Sequence, residues 1–459
     1  MNTKADVVIV GAGLTGLTLA YYLKKKGKKV LLVEKEKRAG GVINTISEDG
    51  FLFEAGPNTG VLSTPEIASL FLDLSDLCRL ETADPKAKKR YILKNGKWHA
   101  LPSGPLSAIN TPLFTMSDKL RILAEPMRPR GTDPDETIAQ MVIRRMGRSF
   151  LDYAVDPFIS GIYAGDPERL VTRYALPKLY ALEQNYGSFI KGSVKKAGEP
   201  KTEAEKRATK EVFSVSGGLG NLIEALTIKI GAENIVTEVQ GLSVKPESEG
   251  FTVIFIDSSG EGAQLHAPKV ITTTGSYTLP SILRFVPEEM LKPIINLQYA
   301  SVVQAVLGYN TWKGIKPDAF GGLVPSKEKR NILGILFPSA IFGGRAPREG
   351  ALFSVFMGGM KKPDIIKLTD SEITELVLKE TAELMGDSGM PDLLRIFRYT
   401  HAIPQYEKST GERLEAIKKI EEEYPGLILA GNIRDGIGMA DRVKQGKQIA
   451  ELLISENEK

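Results

Sequence analysis

Residues 5–34, ADVVIVGAGLTGLTLAYYLKKKGKKVLLVE, decide how the rest of the chain is read. An apolar run, Val7 to Val10, leads into Gly11, Gly13 and Gly16. A helical pattern follows, then a second apolar run, Val30 to Val33, ending on Glu34. The pattern predicts strand, glycine turn, helix and strand. Gly11 permits a sharp turn, Gly13 lets backbone approach a pyrophosphate, and Gly16 lets helix and strand pack closely. A helix N-terminus offers free N–H groups and a positive dipole end to phosphates. The turn Gly11, Ala12, Gly13, Leu14, Thr15 and Gly16 is therefore a candidate pyrophosphate cradle. Glu34, followed by Lys35, ends the second strand, where an acid can accept hydrogen bonds from a ribose diol and would repel a 2′-phosphate. The stretch reads as a site for FAD or NAD, not NADP.

The remaining composition narrows the classes. The 459 residues are long enough for two or three domains. At 42% hydrophobic and 25% charged the chain is an ordinary globular protein. A net charge of +4 is too slight to imply nucleic acid, but it suits an anionic membrane surface or a carboxylate-bearing ligand. A lone Cys78 excludes an internal disulfide and a cysteine metal cluster, which fits a reducing cytoplasm. His99, His266 and His401 have no ligand spacing, so no metal site is expected. No segment is apolar enough to span a bilayer. The first strand begins near residue 5, which leaves no room for a targeting peptide.

Outward from the first unit, Gly40 and Gly41 follow the acid-ended strand, where backbone can come close to a cofactor. Gly56, Pro57, Asn58 and Thr59 form a turn by chemistry. Helical periodicity dominates residues 100–211, as in Ile138, Met141, Val142 and Arg145, and prolines break it into pieces. Strand patterns return after residue 212. The C-terminal stretch LILAGNIRDGIGMADRVKQGKQIAELL reads as a strand, a turn at Gly431 and a closing helix. A strand–glycine–helix rejoining the first unit suits a large flavin better than NAD, since a helix end can face the isoalloxazine. The expected fold is α/β: a discontinuous Rossmann-type FAD-binding domain (1–89, 212–275 and 425–459), a mainly helical insertion (90–211) and an α+β substrate domain (276–424).

Beyond that unit the chain resembles the porphyrinogen oxidases of haem biosynthesis, FAD enzymes of the flavin amine oxidase superfamily. The likeness runs over nearly the whole chain. Its most specific segment is DPFISGIYAGDPERLVTRYALPKLYALEQNYGSFIKG, residues 156–192. FEAGPNT (53–59), RYILKNGKWHALPSGP (90–105), FGGLVPSKEKRNILGILFPSAIFGGRAP (320–347), IPQY (403–406) and AGNIRDGIGMAD (430–441) add to it. The resemblance implies that Gly41, Gly56, Pro57, Asn58, Thr59, Val239, Gly431, Ile437, Gly438 and Met439 contact FAD, with Val239 facing adenine through its backbone. It places Asn58 as a catalytic residue beside the reacting carbon. Arg90, Leu323, Phe342 and Gly165 are the implied substrate contacts, with Arg90 pairing with a propionate. The arginine that can follow the glycine doublet is replaced by Val42, which leaves that position without a cation for the pyrophosphate.

On this reading the substrate is a porphyrinogen, an apolar macrocycle bearing propionates. A flavin carries the hard step, so the chain needs no nucleophilic triad and no metal cluster. Bland readings stand beside these. Arg90 closes a basic run with Lys86, Lys88 and Lys89 that solvates readily. Phe342 and Leu323 suit an ordinary core, and Asn58 suits a turn. Another flavin desaturase or amine oxidase, or a flavin-binding scaffold without turnover, is the rival function. Protoporphyrinogen IX and coproporphyrinogen III are both open as substrate, as are oxygen and a quinone as acceptor. The helical insertion matches the family's membrane-associating part; peripheral contact and plain solubility stand level. The resemblance also implies hand-off of product to a ferrochelatase.

Overall fold

The structure, a computed structural model, describes residues 2–387 and 389–456. Residues 1, 388 and 457–459, which the expected segments 1–89, 276–424 and 425–459 include, lie outside the described residues. Five parallel strands form the nucleotide sheet in the order Ile235–Val236, Val30–Val33, Val7–Val10, Lys269–Thr272 and Leu427–Leu429. Its three inner strands read as continuous apolar or near-apolar runs, because a parallel sheet is covered on both faces. One face is covered by the helices Leu14–Lys25, Gly220–Ile230 and Met439–Glu456, with Leu17, Leu23, Leu226 and Val443 fully buried between them. A four-stranded sheet, Asn2–Lys4, Gly262–Ala267, Gly250–Ile256 and Gln240–Glu247, packs on the other side around Val253, Phe255 and Leu265. The nucleotide domain is thus assembled from three parts of the chain, as its C-terminal strand–glycine–helix unit implied.

A seven-stranded mixed sheet forms the second layer system. Its order is Leu393–Pro404, Tyr299–Tyr309, Ala351–Gly358, Ile332–Leu336, Gly321–Leu323, Arg90–Lys94 and Lys97–Ala100. The helix Asp370–Met385 covers one face through Val377, Leu384 and Met385, which pack on Val303, Phe353 and Val355. Residues 90–100 belong to this sheet and not to the helical insertion expected from residue 90. The alternation in RYILK and KWHA is too short to stand out beside the helical pattern that follows. The helical part proper begins at Pro105–Asn110 and runs to Glu203–Lys206. It holds a second core around Ile138, Met141, Val142 and Leu170.

Candidate functional site

The glycine turn has the geometry its residues predict. A Cβ on Gly16 would lie 2.1 Å from the Gly11 carbonyl oxygen, so helix and strand meet at a distance only glycine allows. A Cβ on Gly13 would meet nothing within 4 Å, so this position faces open space where a ligand can approach. The segment after the second strand crosses here: the Gly40 N–H donates to the Ala12 carbonyl at 2.7 Å, and Gly13 bridges to Gly40. Thr15 Oγ1, in the first turn of the helix, is buried without a partner among the described residues. A backbone cradle with an open glycine and an orphaned hydroxyl at a helix N-terminus fits a diphosphate.

Glu34 is buried, and its carboxylate accepts the N–H groups of Ala12 (2.8 Å) and Glu36 (3.0 Å). Each oxygen keeps lone-pair capacity for a diol. Lys35 points to solvent beside Glu36. The Val239 N–H donates to the Glu34 carbonyl at 3.1 Å, which leaves Val239 its carbonyl for a ligand. Val42 is exposed, as its lack of charge allows, but a cation stands close by. The Arg38 guanidinium donates to the carbonyls of Ile43 and Gly41, both at 2.8 Å, and of Ala39 at 3.1 Å. A cation thus closes this turn from four residues upstream of the vacant position.

The loop after Glu54 is tied to the seven-stranded sheet. Gln304 donates to the Glu54 carbonyl at 2.8 Å and accepts the Gly56 N–H at 3.1 Å. Ser354 donates to Asn58 Oδ1 at 2.8 Å, and Asn58 Nδ2 donates to the Gly56 carbonyl at 3.0 Å. Half of Asn58's capacity therefore goes into holding its own loop, with one N–H and one lone pair left over. Pro57 and Thr59 are half-exposed on that loop. Gln304 and Ser354 were missed in the sequence, although each is a polar residue inside an apolar strand, SVVQAVLGY and ALFSVFMG. Buried polar side chains need partners, and theirs are this loop.

The C-terminal segment packs at the same end of the nucleotide sheet, with Gly431 against Thr273. Gln445 accepts the Gly431 N–H at 2.8 Å and donates to the Gly431 carbonyl at 3.3 Å. The Gly438 N–H donates to Asp441 at 3.0 Å at the start of the last helix. Met439 lies against Gly60, where a Cβ would be 2.6 Å from its methyl, and Ile437 packs on the helical insertion. The burial of Tyr163 pushes its phenol up to about 12, and Tyr406 is raised further by the same cause. Burial also raises Glu54, against hydrogen bonds from Thr45 and the Leu219 N–H.

One row of residues crosses the seven-stranded sheet on the face that Ser354 shares with this loop. Ser354 pairs with Leu336, Leu336 with Gly321, and Gly321 with Arg90. The next row on that face is Phe356, Gly334, Leu323 and Ile92. Leu323, Leu336 and Phe356 are half-exposed, and the glycines keep the surface low between them. The helix Asp156–Tyr163 approaches at Gly161, where a Cβ would lie 2.5 Å from Leu323. Arg90 is exposed, with its guanidinium 5.4 Å from the Phe320 ring centre. Phe342 differs from the expected wall: it is buried with Ala87, Ile341 and Phe320, and it faces the Arg345 guanidinium at 5.3 Å. It supports the Arg90 end from behind, and Phe356 is the aromatic residue on the surface. Gly165 is likewise buried, in the turn after the helix and under Gln405. Among the described residues no cluster of His, Cys, Asp or Glu could hold a metal.

Residues 14–454 match the family described as flavin containing amine oxidoreductase. The mitochondrial protoporphyrinogen oxidase of Nicotiana tabacum is 30% identical over 99% of this chain and 95% of its own length. The coproporphyrinogen III oxidase of Bacillus subtilis is 26% identical over 97% of both. A crystal structure from Exiguobacterium sp. 255-15, provisionally named a protoporphyrinogen oxidase, shares the fold with a TM-score of 0.81 over 99% of both chains at 23% identity. The chain therefore belongs to the flavin-containing amine oxidoreductase family, among its porphyrinogen oxidases, and is a flavin-dependent oxidoreductase.

Proposed function

We propose that the chain uses FAD to oxidise protoporphyrinogen IX to protoporphyrin IX, with oxygen as acceptor. The row from Ser354 to Arg90 carries this reading. It spans three strand spacings, about 14 Å, which is the scale of a macrocycle with an outstretched propionate. Its floor is apolar and low, and it starts at the loop that borders the cofactor cleft. Lys89 pairs with Asp318 at 2.6 Å, Lys327 pairs with Asp152 at 2.8 Å, and Lys94 donates to the carbonyls of Pro112 and Leu113. The Arg90 guanidinium makes no hydrogen bond or ion pair among the described residues, while its backbone carbonyl accepts the Leu101 N–H. Arg90 is the single cation in these two rows, which suits a substrate with two propionates better than one with four.

The bound flavin supplies hydride-accepting chemistry. Three rounds together would remove three hydrides from meso carbons, two protons from pyrrole nitrogens and one proton from the remaining meso carbon, with one O₂ reduced to H₂O₂ in each round. The residues orient and exclude water: Gln304 and Ser354 fix the Gly56–Thr59 loop, Leu323, Leu336 and Phe356 bear on the ring, and Arg90 holds a propionate. Neither row carries a histidine or carboxylate, so no residue there is assigned a proton. Red porphyrin fluorescence on mixing the FAD-loaded protein with each porphyrinogen tests this. A higher kcat/KM for coproporphyrinogen III would reverse the substrate assignment, and no fluorescence with either would end the reading.

A membrane contact is part of the same proposal. On the helix Met116–Leu123 and its extension, Met116, Leu120, Leu123 and Met127 are 63%, 62%, 72% and 86% exposed. These positions recur at helical spacing, so one apolar face meets solvent, with Arg128 and Arg130 nearby. Among the described residues no helix is long and apolar enough to cross a membrane. Flotation with anionic liposomes checks the contact: protein left at the bottom of the gradient would remove it.

A further inference from the structure

Arg413, on the helix Thr410–Glu423, is 1% exposed. A guanidinium at that depth normally faces a carboxylate, and Arg145 elsewhere in the chain faces two. Arg413 faces none among the described residues. Its Nε donates to the Ile433 carbonyl at 2.9 Å, and a terminal nitrogen donates to Thr410 Oγ1 at 3.3 Å. Its ionisable neighbours are the phenols of Tyr406, Tyr299 and Tyr174, and it lies 5.8 Å from the Tyr406 ring centre. The carboxylates at this end are committed elsewhere. Glu407 pairs with Arg169 (2.9 Å), Glu421 with Arg434 (2.8 Å), and Asp435 accepts from Gln445 (2.7 Å).

Ile433 tells where this charge acts. It lies in the segment 431–438, which links the strand Leu427–Leu429 to the last helix and which the family resemblance sets against the flavin. The same segment is held at the Gly436 carbonyl by Tyr406 Oη and by Arg442, each at 3.0 Å. Gly431 stands against Thr273, beyond the carboxyl end of the strand Lys269–Thr272, which neighbours the strand leading into the Gly11 turn. The unbalanced cation is therefore at the carboxyl end of the nucleotide sheet, where this fold class takes its ligand.

We propose that Arg413 is a positioning residue that sets the reduction potential of the flavin. Its charge, held behind the segment 431–438, favours the reduced flavin, whose pyrimidine ring carries negative charge, over the neutral oxidised flavin. The cofactor supplies the anion that the chain does not. Desolvation lowers the Arg413 pKa, but a guanidinium starts so high that it stays charged at neutral pH. The proposal rests on the flavin of the family and not on the choice of substrate.

The test titrates FAD-loaded protein against a reference dye with no porphyrinogen present, so it fails separately from the substrate reading. Arg413→Met is expected to lower the reduced-to-oxidised ratio at a fixed ambient potential about tenfold, equal to about 30 mV for a two-electron couple. Arg413→Lys keeps the charge and is expected to keep the potential, even where a weaker hold on Ile433 lowers the melting temperature. A purely structural role gives the other split: both variants lose melting temperature and flavin affinity at wild-type potential, which overturns the proposal. An equal shift in Arg413→Lys also overturns it. If Arg413→Met does not fold, Thr410→Glu places a carboxylate beside the guanidinium. It is expected to lower the potential in the same direction, and an unchanged value overturns the proposal.

Discussion

The nucleotide domain and the helical insertion sort their residues in opposite ways. In the nucleotide domain the strands Val7–Val10 and Val30–Val33 are buried at every position, and the helix Leu14–Lys25 turns its lysines to solvent. In the insertion the largest fully buried side chain is an arginine, while leucines and methionines stand in water. Arg145 is 0% exposed and pairs with Glu125 and with Glu183 (2.7 Å). Arg144 binds Glu183 as well as Glu136. Glu125 also accepts from Ser188 Oγ and from the N–H groups of Phe189 and Ile190, so it caps the helix Phe189–Ala197. Apolar periodicity predicts burial only where a face has a partner. Short helices broken by prolines leave apolar faces uncovered, and a saturated ionic network can then hold the core.

The largest expected effect breaks the insertion. Arg145→Ala leaves Glu125 buried without a cation and Glu183 with Arg144 alone, and should cost about 3–5 kcal/mol of its stability. Urea unfolding followed by limited proteolysis of residues 105–206 reads this, and a loss under about 1 kcal/mol would make the network neutral, as some buried ion pairs are. Acid should act on the same place. Burial pushes Glu125 and Glu183 up, but hydrogen bonds from Ser188 and Arg144 and from backbone N–H groups outweigh it and hold both below the usual carboxylate range. A depressed carboxyl contributes stability that is present above its unfolded pKa and lost as pH falls through its folded one. Glu54 beside the nucleotide domain is raised, so protonating it costs nothing there. Proteolysis should therefore open the insertion before the nucleotide domain as pH falls below about 4.3; simultaneous opening would remove the contrast.

The nucleotide domain is probed next. Glu34→Ala frees the N–H groups of Ala12 and Glu36 and removes a ribose acceptor. FAD affinity should fall by about 1.5–3 kcal/mol, with turnover at saturating FAD unchanged. Equal affinity in isothermal titration would show that the carboxylate serves only the turn. At the sheet between the two regions, Arg90→Ala should cost about 1–3 kcal/mol in kcat/KM for a porphyrinogen, mostly through KM, with Arg90→Lys recovering part. Unchanged KM at normal flavin loading would return Arg90 to the solvated run of Lys86, Lys88 and Lys89. The smallest effect on folding comes from the exposed face. Leu120→Ser with Leu123→Ser should change stability by no more than about 0.5 kcal/mol while abolishing liposome flotation. Destabilisation without loss of flotation would mean that the face packs within the protein.

The sequence by itself determined the strand–glycine–helix–strand unit, the acid at Glu34, the discontinuous domain closed by Gly431 and its helix, and the flavin chemistry of the family. These are local: a glycine where a Cβ would strike the Gly11 carbonyl, or four apolar residues in a strand covered on both faces, leave their mark within about thirty residues. Tertiary structure alone decided what lies between. It drew residues 90–100 into the seven-stranded sheet and set Arg90 in one row with Ser354, because register across strands depends on partners hundreds of residues away. It buried Phe342 and Gly165 and brought Phe356 to the surface instead. It turned Asn58 inward to Ser354 and placed Arg38 at the turn that Val42 leaves uncharged. It left Arg413 buried without an anion. Side-chain charge is written in the sequence, but whether a charge finds its partner is settled only when the chain is packed.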